Sequence, residues 1–141
     1  MFGGLLALMV PAVASAHATL ESSVPSANSV LEQAPTSIEL HFDEDVNSSL
    51  ASIRVFDAKG QRVIIDPVRR GDSASALVAA VPSLANGLYA VVWKATSVDG
   101  HVVDGAFSFQ VGAGATAVSS QDLLGQVLSG PAVQPSLAWA Y

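Results

Sequence analysis

The chain has 141 residues, a formal net charge of −6 and no cysteine. This length fits one compact domain, and the acidity argues against nucleic acid or an anionic membrane surface as a partner. Without cysteine there is no disulfide framework, thiolate zinc site or thiol nucleophile.

The first sixteen residues form an uncharged leader. Leu5 to Val13 is an apolar run too short to span a bilayer, and Ala14-Ser15-Ala16 has the small-x-small pattern of a signal-peptidase site, although the usual basic start is missing. Cleavage there makes His17 the first residue of the mature protein and places the protein in the periplasm or elsewhere outside the cytoplasm. Both methionines, Met1 and Met9, leave with the leader. The mature part then offers no soft sulfur donor for Cu(I).

From His17 onward the sequence reads as strands and turns. In Ser37 to Phe42, Ile38, Leu40 and Phe42 alternate with Glu39 and His41, the pattern of a half-buried strand. Asp43-Glu44-Asp45-Val46-Asn47 resembles the start of a calcium loop, but Ser48 and Arg54 stand where glycine and glutamate are required, so it reads as a solvated acidic strand end. Ile53 and Val55 predict a hairpin with the residues after Arg62, connected through Asp57-Ala58-Lys59-Gly60. Ala76 to Val81 is a further short strand. Asn86-Gly87 marks a turn into Leu88–Thr96, where Tyr89, Val91 and Trp93 share one face and Trp93 is a core residue. Val102 to Val111 follows, with Phe107, Phe109 and Val111 on one face. Short strands, regular turns and no long helix predict an all-β, immunoglobulin-like antiparallel β-sandwich with Greek-key connections.

Composition shifts after this set. Gly112-Ala113-Gly114-Ala115 reads as a linker. Ser119-Ser120-Gln121-Asp122 caps a short helix carrying Leu123, Leu124, Val127 and Leu128 at helical spacing, and Gly130-Pro131 ends it. Such a helix on a small-residue tether is marginal alone. Trp139 and Tyr141 close the chain with residue types common at membrane interfaces. The expected organisation is a leader over 1–16, a sandwich over 17–112, and a linker with a short helix over 113–141 that includes a juxtamembrane segment in the reading where the chain belongs to a larger membrane protein.

The residues that carry chemistry are His17, Asp99 and His101. An amino-terminal histidine offers its α-amine and imidazole Nδ1, which close a six-membered ring on one ion. Asp99-Gly100-His101 adds a carboxylate and a second imidazole on a loop between two strands. Three nitrogens and one oxygen form a tetragonal set suited to Cu(II). Binding requires a deprotonated amine and neutral imidazoles, so affinity falls with pH. Asp-Gly is also an ordinary turn dipeptide, and a histidine after it is often only exposed. His41 is expected to face solvent. Ser97, Asp99 and His101 contain triad residue types, but no nucleophile elbow accompanies them.

The ordered set resembles CopC-type copper-resistance proteins. It comprises His17-Ala18-x-Leu20, Ser23-x-Pro25, Ile38-x-Leu40-x-Phe42-x-Glu44-x-Val46, Gly87-x-Tyr89-x-Val91-x-Trp93, Ser97-x-Asp99-Gly100-His101 and Gly105-x-Phe107-x-Phe109-x-Val111. The resemblance covers His17 to Val111. It implies a Cu(II)-binding sandwich outside the cytoplasm in which His17, Asp99 and His101 are the metal ligands, and which sequesters copper or delivers it to a CopD-type membrane copper transporter. Phe56 to Asp66 contains no methionine, which departs from members with a methionine-rich Cu(I) loop and favours a Cu(II)-only carrier; a monomer is expected. Three other readings stand beside it: the copper module of a CopC–CopD fusion tethered to the plasma membrane, a non-metal immunoglobulin-like spacer, and a copper enzyme of the oxidative polysaccharide-cleaving type. The enzyme is disfavoured because Asp99 would fill the position that an oxygen-activating copper needs open.

Overall fold

The computed structural model describes residues 17–114 and 116–130. The leader and the Trp139–Tyr141 ending lie outside the described residues. Among the described residues nine strands form two facing sheets: β1 (Leu20–Val24), β2 (Val30–Leu31), β3 (Ser37–Phe42), β4 (Ser52–Phe56), β5 (Arg62–Val63), β6 (Arg69–Arg70), β7 (Ala76–Ala80), β8 (Gly87–Thr96) and β9 (Val102–Val111). One sheet has the order β1-β3-β7-β6 and the other β2-β9-β8-β4-β5. The pairings are antiparallel except that of β2, which lies parallel to the end of β9.

The alternation in β3 is realised as expected. Ile38, Leu40 and Phe42 are buried, while Glu39 and His41 face outward and pair with each other, His41 Nε2 lying 3.4 Å from Glu39 Oε2. Facing them across the core are Ile53 and Val55 of β4, Tyr89, Val91 and Trp93 of β8, and Phe107, Phe109 and Val111 of β9. Trp93 meets Phe42 edge-on with ring centroids 5.4 Å apart. It also lies against Gly105, its cross-strand neighbour, where an added Cβ would come within 2.6 Å of Trp93 Cζ2. The β4–β5 hairpin closes through Asp57, whose Oδ1 accepts the Lys59 and Gln61 N–H groups, both at 2.9 Å.

The other face of the larger sheet is covered too. Helix α1 (Ser120–Ser129) starts at Ser119, whose hydroxyl oxygen accepts the Asp122 N–H at 3.1 Å. Leu123 and Val127 are buried against Phe56, Leu88, Ala90 and Val92. The helix therefore rests on the sheet, and this explains the near-continuous apolar run in β8: a strand covered on both sides needs no polar alternation. Full burial of Leu123 stabilises this layer by about 2 kcal/mol. Leu128, on the far side of the helix, is half exposed.

Candidate metal centre

The segment 43–47 brings the two ends of the site together. Asp43 clasps the entry to β1: its Oδ1 accepts the Thr19 N–H at 2.6 Å, and its own N–H donates to Thr19 O at 3.0 Å. Ala18 is buried, which anchors the residue next to His17. A few residues on, the same segment holds the β8–β9 turn. Asp45 O accepts the Val98 N–H, Asn47 N–H donates to Thr96 O, and Val46 bridges Ser97. His17 and His101 consequently meet, with ring centroids 4.4 Å apart and ring planes tilted by 47°.

The turn is built to present His101. Ser97 N–H donates to His101 O and Gly100 N–H to Ser97 O, each at 2.9 Å. Gly100 has φ +93°, a conformation that glycine adopts without strain. Ser97 is nearly fully buried, and its hydroxyl donates to Asp99 Oδ1. Asp99 Oδ2 lies 2.8 Å from His101 Nδ1. Donation from Ser97 is the chief cause that holds the Asp99 carboxyl at about 2, below its ordinary 3.8; desolvation opposes it, and His101 adds to the lowering. An ionised carboxylate only accepts hydrogen bonds, so Nδ1 carries the proton and Nε2 carries the lone pair. That is the carboxylate–histidine arrangement that orients metal-binding imidazoles.

All three expected residues thus meet, pairwise: His17 beside His101, and His101 bonded to Asp99. Among the described residues no three His, Asp or Glu side chains stand together as a finished ligand cage. A mature α-amine is a main-chain donor and falls outside such a side-chain grouping, and Asp99 is turned toward Nδ1. His41 is engaged with Glu39 instead. The hydrogen-bond order is Ser97–Asp99–His101, with no contact of the hydroxyl to the imidazole, so Ser97 is not activated as a nucleophile in the manner of a triad. The sequence reading missed the roles of Asp43 and Ser97. The acidic run concealed a carboxylate that clasps a backbone N–H, and Ser97 carried no signal beyond its spacing from Asp99.

The CopC domain model matches residues 20–112. The chain belongs to the CopC family. CopC relatives span a range of sizes. The copper transport protein CutJ of Bacillus subtilis is 32% identical over 119 residues, covering 83% of this chain and 22% of CutJ. This CopC chain therefore spans about a fifth of that relative's length. The crystal structure of CopC from Methylosinus trichosporium OB3b is similar, with a TM-score of 0.62 and 31% identity over 67% of this chain and 93% of that one. PcoC, a methionine-rich copper resistance protein from Escherichia coli, matches with TM-score 0.62 and 31% identity, covering 68% of this chain and 99% of PcoC. In this CopC sequence the only methionines are Met1 and Met9.

Proposed function

We propose that the mature chain binds one Cu(II) ion outside the cytoplasm, holding it against excess or handing it to a CopD-type membrane copper transporter. The observation that carries this reading is the meeting of His17 and His101 at 4.4 Å, with Asp99 on His101 Nδ1. The proposed nitrogen donors are the His17 α-amine, His17 Nδ1 and His101 Nε2. Asp99 holds His101 and brings negative charge to the ion. A direct bond from Oδ2 to copper requires that oxygen to leave Nδ1. Nitrogen and carboxylate donors suit Cu(II), and the absence of methionine after Met9 leaves no thioether for Cu(I). The family and the copper-related names of CutJ and PcoC support the choice of metal. The protein acts as a carrier, not an enzyme, and copper is its cargo.

Copper titrations of His17→Ala and His101→Ala test this reading. Each variant should bind Cu(II) at least about a hundredfold more weakly, since each loses a ring donor of the proposed chelate. Parental affinity in both would end the proposal.

The similarity to a fifth of CutJ supports a second reading, in which this domain is the copper-receiving module of a longer transporter. The gene sequence beyond the codon for Tyr141 decides it: apolar spans in frame support the module, and an immediate stop rejects it.

A further inference from the structure

The open side of the sandwich lies between β1, the edge of one sheet, and β9. β2 covers only the far end of β9: Asn28 N–H donates to Ser108 O, Gln110 N–H to Ser29 O, and Gly112 N–H to Leu31 O. These bonds fix which backbone groups of β9 point away from β8. The β8–β9 register runs without a shift from Val102 to Val111, so alternation carries the same direction back to Ala106, Asp104 and Val102. Their outward N–H and C=O groups make no hydrogen bond to another strand among the described residues.

Beside this bare edge runs a cleft of about 450 Å³. Its lining is mostly apolar, with Leu20, Trp93 and Phe107 beside Ser22, Ser23 and Ser26, and Glu21 is its one charged lining residue. The upper ends of its two walls are the metal centre. His17 stands just before β1, and His101 directly precedes β9.

We infer that the free edge of β9 over Val102–Ala106 is the docking strand for a copper acceptor, which adds an extended segment in the row that β2 occupies farther along. This inference rests on the copper-carrier reading. The pleat dictates the segment's chemistry. One set of its side chains enters the cleft against Leu20, Trp93 and Phe107 and is apolar. The alternate set lies on the opposite face of the sheet beside Asp104. Asp104 stands at that edge with Lys94 in register on its β8 side, and in a protein of net charge −6 the complementary residues on the open side are basic. A segment seated so has its end at His101, beside the proposed copper site.

A capped peptide of alternating valine and lysine is the probe, titrated into the full mature chain without copper and followed by amide NMR and hydrogen exchange. Docking should shift the Val102, Asp104 and Ala106 amides and slow their exchange. Ala106→Pro removes one outward N–H while sparing the ladder to β8, so it should weaken the peptide about tenfold and leave the copper titration unchanged. Asp104→Lys should also weaken it, and a peptide N-methylated at alternate residues should not dock.

Binding that ignores Ala106→Pro and N-methylation overturns the inference. Edge amides already protected in the protein alone at low concentration also overturn it, because a segment of this chain then covers the edge. Protection that grows with protein concentration without peptide does so in favour of a second copy. The two readings fail separately. Copper binding without peptide docking removes only this inference, and peptide docking without copper binding removes the carrier function while leaving the edge a docking strand.

Discussion

Thr19 and Asp43 hold each other twice, through Thr19 N–H to Asp43 Oδ1 at 2.6 Å and Asp43 N–H to Thr19 O at 3.0 Å. This clasp lies two residues from His17 and fixes where His17 emerges. Asp43→Ala removes the side-chain half of it. The variant should lose about 1 kcal/mol in urea unfolding and bind Cu(II) about tenfold more weakly, through loss of position and not of a ligand. Asp43→Asn keeps an acceptor oxygen and should recover most of the affinity. Equal affinities in all three proteins would show that His17 needs no such anchor.

The Asp99 carboxyl makes a stability contribution with a defined acid limit. Its pKa is held at about 2 in the folded protein, against 3.8 for the ordinary group, chiefly by the Ser97 hydroxyl. A depressed carboxyl contributes stability that is complete above its unfolded value and is lost as pH falls through the folded one, so this contribution disappears between about pH 4 and pH 2. Ser97→Ala removes the largest cause. The Asp99 midpoint, read by carboxyl carbon NMR, should rise toward the ordinary value. A midpoint unchanged by the substitution would assign the shift to another source.

Helix α1 tests whether the last described segment is part of the fold. Leu123 is fully buried against the outer face of β8. Leu123→Ala should cost about 3 kcal/mol in denaturant unfolding. A loss below about 0.5 kcal/mol, typical of a surface site, would mean that the helix does not hold to the sheet in solution.

Much of this was legible because local patterns agreed with the global fold. The alternation of Ile38, Leu40 and Phe42 announced a sheet with one face on the core, and Tyr89, Val91 and Trp93 with Phe107 and Phe109 supplied the opposing face. His17, Asp99 and His101 were visible as donor types. Their meeting was not, because it depends on Asp43, Asp45 and Val46 joining two distant parts of the chain, through one Asp43 side-chain bond and otherwise through backbone bonds that any residue can make. The second buried face of β8 was also hidden. Leu88, Ala90 and Val92 require a cover, but only the tertiary contact identifies Leu123 and Val127 as that cover. The two-residue strands β2 and β6 are too short to leave a period.

The most direct test of the account compares Cu(II) binding by two proteins, one beginning at His17 and confirmed by mass spectrometry, the other with one extra residue before it. Titration with electron paramagnetic resonance should show one tight equivalent and a tetragonal, nitrogen-rich signal in the first, both lost or greatly weakened in the second. The same signal and affinity in both proteins would contradict an amino-terminal copper centre.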